Sequence, residues 1–164
     1  MTPSMSNVST QISTEWLPTP TRKKASSRVW NLDVLLIDDD EADTALILTV
    51  LKRHPEVSTA RATDAPQFAL RQLAAGGQLR PDLILLDIHM PRLNGFDFLE
   101  AMRAIPSMVH VPVIFLTTSA LPGDLAKSND SSASLCVIKP DSYAGLQSCL
   151  NGVLRCAASG RWNC

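Results

Sequence analysis

The chain has 164 residues, 15 of them basic and 16 acidic, and 45% of them are hydrophobic. That length suits one domain with a tail, and the charge balance excludes a nucleic-acid binder held by bulk electrostatics. No apolar run approaches the ~18–20 residues of a membrane span.

Residues 1–31 are rich in Ser, Thr and Pro and are expected to form a flexible arm, too poor in apolar residues to offset the entropy of ordering. Trp16-Leu17 offers a docking or dimer-forming contact. Arg22, Lys23, Lys24 and Arg28, with few acids, have the flavour of an organelle transit segment.

From Asp33 the texture changes. Val34, Leu35, Leu36 and Ile37 form a continuous apolar run ending in acid, as a strand buried on both faces does. Leu46, Ile47, Val50 and Leu51 give helical spacing over residues 41–54, and Pro55 stops that helix. Residues 57–62 predict a weaker, edge-like strand. Asp64 is the expected cap of a helix with Pro66 in its first turn and Gly76-Gly77 at its end. Residues 83–86, all Leu or Ile, are a second buried strand ending in acid. A Gly95-led helix carries Phe96, Phe98, Leu99 and Met102 to a stop at Pro106. Residues 111–116 predict a third buried strand, 135–138 a fourth, and 142–157 a final helix. Between these two strands, 122–132 is assigned as helix against the preference of Gly123, Ser128, Asn129, Ser131 and Ser132.

Strands alternating with helices imply a parallel sheet covered on both faces, here five βα units. Ligands of such sheets bind beyond the carboxyl ends of the strands. Those ends carry Asp38-Asp39-Asp40, Asp87, Thr117-Thr118 and Lys139-Pro140. Packed carboxylates repel unless one protonates or a cation binds. Carboxylate oxygens with few other ligands suit Mg2+, which would also let a phosphate approach Asp87. Lys139 and Thr117 can bind the remaining phosphoryl oxygens, leaving catalysis as positioning plus charge neutralisation.

The stretches Leu35-Leu36-Ile37-Asp38-Asp39-Asp40, Leu85-Leu86-Asp87-Ile88-His89-Met90-Pro91 with Asn94-Gly95, Pro112-Val113-Ile114-Phe115-Leu116-Thr117, and Lys139-Pro140 strongly resemble bacterial response-regulator receiver domains. The resemblance covers residues 32–157 and implies a flavodoxin-like (βα)5 doubly wound sheet of strand order 2-1-3-4-5. It implies that Asp87 is the phosphoacceptor in two-component signalling. Mg2+ would be held by Asp39, Asp87 and the His89 backbone carbonyl, with Asp38 acting largely through water. Thr117 is implied as the switch hydroxyl and Lys139 as its phosphoryl-binding partner, with a cis bond to Pro140. His89 and Ser119 are candidates for tuning the rate. The implied donor is a phosphohistidine on a sensor histidine kinase or histidine phosphotransfer protein. Asp43 and Leu116-Thr117-Thr118-Ser119 are similar to the short regulators that partner bacterial phytochromes.

Family members usually carry an aromatic residue where this chain has Cys136, a side chain too small to act as the same lever. Ser131 stands where their fourth helix offers an apolar residue, and Ser132 where glycine is common. Only Ala157 to Cys164 follow the last predicted helix, so the expectation is a stand-alone receiver with a tail over 158–164, a possible homodimer, bound to neither nucleic acid nor membrane. Two other readings stay open. In one, Asp38-x-Asp40 resembles the nucleophile motif of haloacid-dehalogenase-type Mg2+ phosphatases. In the other, the chain is a receiver-like adaptor whose switch is inactive. The four cysteines, Cys136, Cys149, Cys156 and Cys164, lack zinc-ligand spacing and follow no apolar leader, so reduced thiols in a cytoplasmic protein are expected.

Overall fold

Apolar runs with no polar alternation are satisfied only inside a sheet covered on both faces, and that is where they lie. The computed structural model describes residues 31–118, 122–131, 133 and 135–160. Its parallel strands are β1 (Leu32–Ile37), β2 (Val57–Thr63), β3 (Leu83–Asp87), β4 (Val113–Thr117) and β5 (Leu135–Ile138), ordered β2-β1-β3-β4-β5. The helices between and after them are α1 (Glu41–Arg53), α2 (Pro66–Ala74), α3 (Gly95–Arg103), α4 (Pro122–Asp130) and α5 (Tyr143–Ser159). The expected doubly wound topology is thus observed.

Side chains alternate across each strand, which splits the core in two. Val34, Leu36, Leu85, Ile114 and Leu116 meet Ile47, Val50 and Leu51 of α1 and Leu150, Val153 and Leu154 of α5. Leu35, Ile37, Ile84, Leu86, Val113 and Phe115 meet Ala69 and Leu73 of α2 and Phe98, Leu99 and Met102 of α3. Burying an aliphatic or aromatic side chain stabilises by roughly 1.5–3 kcal/mol, so the two layers hold β1 and β3 firmly at the centre.

Helix starts are fixed by side-chain oxygens that accept otherwise orphaned backbone N–H groups. Asp40 caps α1 through the N–H of Asp43 (2.8 Å), Asn94 caps α3 through Asp97 (3.0 Å), and Ser142 caps α5 through Gly145 (3.1 Å). Gly160 ends α5 in the left-handed region, at φ 65°.

Several expectations need correction. Asp64 does not cap α2: the N-cap is Ala65, which makes no side-chain capping bond, and the Thr63 hydroxyl accepts from the Ala65 N–H instead. The helix begins one residue later than an Asp64 cap requires, with Pro66 as its first residue. The Lys139–Pro140 bond is trans, there being no cis peptide among the described residues. Trans is the intrinsic preference of X–Pro bonds by about 0.5–1 kcal/mol, and Lys139 reaches its partners from that conformation. Ser131 lies just beyond α4 rather than in it, and its hydroxyl donates to the Ser128 carbonyl at 2.8 Å. Cys136 and Cys149 are free thiols as expected, whereas Cys156 is disulfide-bonded. Residues 1–30, Ser119, Ser132 and Cys164 lie outside the described residues, and with them the arm, the Trp16-Leu17 contact and one candidate rate-tuning position.

Candidate functional site

Ile37 of β1 pairs with Leu86 of β3, so Asp38 and Asp87 leave adjacent central strands side by side. Carboxylate oxygens of Asp38, Asp39 and Asp87 all lie within 4.8 Å of one another. Asp38 is 3% exposed and Asp87 7%, while Asp39 faces solvent. Three carboxylates this close cannot all stay charged in a low dielectric without a compensating cation.

Part of that compensation is Lys139. Its Nζ lies 2.7 Å from Asp38 Oδ2, 2.9 Å from Asp43 Oδ2 and 3.7 Å from Asp87 Oδ1. The Lys139 backbone N–H donates to the carbonyl of Thr117 at 2.8 Å, tying the exit of β5 to the end of β4. Thr117 itself is fully buried. Asp38 is held at both oxygens, since Oδ1 accepts from the Asp40 N–H at 2.9 Å.

The electrostatics follow from this packing. Burial raises the pKa of Asp87, and the charges of Asp38 and Asp39 add to that; the Lys139 charge and the Ile88 N–H oppose it without cancelling it. For Lys139, burial works against the ammonium, but its hydrogen bonds to Asp38 and Asp43 and the charge of Asp87 outweigh burial and hold its pKa above the ordinary value.

Gly95 opens α3 directly against the end of β3. A Cβ there would stand 2.5 Å from the Asp87 carbonyl oxygen and 3.0 Å from Ile88 Cα, and the Gly95 N–H donates to the Ile88 carbonyl at 2.9 Å. His89, two residues beyond Asp87, turns its ring outward, where Nε2 lies 2.9 Å from Asp124 Oδ2 of α4. Cys136 is half-buried, and burial pushes its thiol pKa up. Close by in the same core layer Phe96 packs on Phe115 with ring centroids 4.9 Å apart, and Lys127 stands over the Phe96 ring.

The structure therefore brings together Asp38, Asp39, Asp87 and Lys139, with Thr117 beside them through the Lys139 backbone. Sequence reasoning missed two partners. Asp43 reads from sequence as a first-turn acid favouring the α1 dipole, and its bond to Lys139 is visible only once the loop between β5 and α5 reaches the start of α1. Asp124 reads the same way for α4.

The oxygens of Asp38, Asp39 and Asp87 form the kind of all-oxygen, carboxylate-rich set that suits a hard divalent cation. A family model for the response regulator receiver domain matches residues 34–151. The chain belongs to that family. Among curated relatives, the DNA-binding response regulator MtrA of Mycolicibacterium paratuberculosis is 35% identical over 106 residues, 65% of this chain and 44% of that protein. The chain thus spans less than half the length of such relatives. Among solved structures, the phosphorylated cyanobacterial phytochrome response regulator RcpA is 25% identical with a TM-score of 0.73, covering 79% of this chain and 96% of that one. The receiver domain of a Pseudomonas aeruginosa sensor histidine kinase, described with magnesium coordinated in its active-site cleft, is 26% identical with a TM-score of 0.62 over 76% and 98% of the two chains. A receiver domain is a signalling unit, and relatives of this one are solved with a divalent metal in the site. Among the described residues no helix is long and apolar enough to cross a membrane.

Proposed function

We propose that Asp87 accepts a phosphoryl group from a phosphohistidine of a sensor histidine kinase or histidine phosphotransfer protein, and that the phosphorylated form changes its affinity for another protein. The observation that carries this is the meeting of Asp87 with Asp38 and Asp39, within 4.8 Å, and with the Lys139 ammonium at 3.7 Å. An Asp87 carboxylate oxygen attacks phosphorus as the P–N bond to the donor imidazole breaks. The imidazole nitrogen takes a proton and leaves, and an acyl phosphate remains on Asp87.

Asp39, Asp87 and the His89 carbonyl would hold Mg2+. Asp38 would act through water, a role supported by the Lys139 and Asp40 bonds that already occupy its two oxygens. The ion supplies positive charge where the carboxylates and the incoming phosphoryl group repel. Lys139 would bind a phosphoryl oxygen and Thr117 would act as the switch hydroxyl, while His89 and Ser119 would tune the lifetime of the acyl phosphate. Half-buried Cys136 offers no ring to rotate inward, which favours readout through α4, tethered at Asp124, over an aromatic lever.

Similarity to RcpA supports a bacteriophytochrome as the kinase. A homodimer through the β5–α5 edge, where Ile138 and Tyr143 are exposed, and a cytoplasmic location complete the reading. Incubating the full chain with a small acyl phosphate and Mg2+ should add one phosphoryl mass, and Asp87→Asn should add none. A gain that persists in the variant would overturn the assignment of Asp87.

A further inference from the structure

The geometry points to Asp43 as a positioning residue that holds Lys139 away from Asp87 in the resting state and competes with the phosphoryl group for its ammonium. This rests on the function proposed above. The Lys139 side chain is only 7% exposed, so its hydrogens depend on protein partners. Asp38 and Asp43 take two of them in short, charge-assisted bonds of 2.7 and 2.9 Å. Asp87, at 3.7 Å, lies beyond hydrogen-bond reach.

To bind an oxygen on or near Asp87, Nζ must come about 1 Å closer, which lengthens at least one of the two short bonds. The two are not equally able to yield. The Asp38 side chain is 1% exposed and its other oxygen is fixed by the Asp40 N–H. Asp43 sits in the first turn of α1 with its side chain 33% exposed. It lines, with Lys139, Pro140 and Tyr143, an open cleft of about 260 Å3. Water can replace the ammonium at Asp43 but not at Asp38. Asp43 is therefore the partner that lets go, and its carboxylate offsets part of the positive charge that would otherwise face Asp87. In this arrangement Asp43 sets how strongly the site retains a phosphoryl group without touching that group itself.

The test uses the full chain and beryllofluoride as phosphoryl mimic, with Mg2+ present. Asp43→Asn, which keeps the shape and removes the charge, should bind beryllofluoride roughly threefold to tenfold more tightly than the unchanged chain, in the range usual for coupled neighbours. Asp43→Glu, which restores a carboxylate, should return affinity toward the starting value. In a Lys139→Met background Asp43→Asn should have no effect, a result that a merely structural role for Asp43 would not give. Should the Asn variant fold poorly, Asp43→Ala carries the same expectation. Equal or weaker binding by these variants, or a gain that survives Lys139→Met, overturns the role of Asp43 and leaves the proposed function standing. No beryllofluoride binding by the unchanged chain overturns both.

Discussion

His89 Nε2 lies 2.9 Å from Asp124 Oδ2, joining the loop after β3 to the first turn of α4. A carboxylate only accepts, so Nε2 carries the proton in this bond. The His89 side chain is half in solvent, which limits the pair to about 1 kcal/mol or less. It nevertheless anchors a helix built on Gly123, Ser128 and Asn129, all weak helix formers. Asp124→Ala is expected to speed amide hydrogen exchange across Pro122–Asp130 several-fold while moving the global Tm by no more than about 2 °C. Unchanged exchange in α4 would show that the helix is held by other contacts.

The Asp87 carboxylate is a burden on the metal-free fold. Its pKa is raised above the ordinary 3.8 by burial first and then by neighbouring acids, so the folded state binds its proton more tightly than the unfolded state does. By linkage, the cost of ionising Asp87 is absent below about pH 3.8 and grows as the pH rises from there through the raised pKa of the folded state. Asp87→Asn should therefore stabilise the metal-free protein at pH 7, by about 1 kcal/mol. The advantage should shrink as the pH falls toward 4 in paired thermal melts. A variant less stable than the unchanged chain at pH 7 would contradict the electrostatic account.

Divalent metal should reverse that burden. Because the three carboxylates converge only in the folded chain, Mg2+ should raise the Tm in a saturable way, reaching about 2.7 kcal/mol of added stability at a hundred times its dissociation constant. A chelator should return the Tm to its starting value. Asp39→Asn should remove most of the effect, since it leaves one fewer oxygen donor facing solvent. A Tm indifferent to Mg2+ would argue against the cluster as a metal centre.

Gly95 has no room for a methyl group. A Cβ at that position would stand 2.5 Å from the carbonyl oxygen of Asp87, a backbone atom that cannot swing aside. Gly95→Ala should cost about 1–3 kcal/mol in denaturant unfolding and should lower phosphoryl acceptance more than that loss of stability explains. Gly123→Ala, where a Cβ meets nothing within 4 Å, is the matched control; equal effects at both sites would refute the steric argument.

The parts of the fold legible in the sequence were those governed by a single strong local signal. Four apolar residues followed by acid identified β1 and β3, and the same pattern put Asp38 and Asp87 at the site rim. The failures came where an element boundary shifted by one residue or where partners are distant. Asp64 suits a helix cap by residue type, but α2 begins one residue later, with Ala65 at the cap position. The trans bond at Pro140 follows the intrinsic preference of X–Pro bonds and departs from what the resemblance implies. Asp43 stands out in the sequence through the family resemblance and its place in a first turn, but its bond to Lys139 shows only in the folded chain.

Strand β3 is hydrogen-bonded along both flanks, to β1 and to β4, and Asp87 is itself the last rung opposite Leu116. Its main chain cannot back away when the side chain gains bulk and charge. A modified Asp87 would therefore press on neighbours that side chains hold, the Lys139 ammonium and, through His89, the start of α4. Under the proposed function the change would spread sideways, toward the β4–β5 margin, while the centre of the sheet stays still.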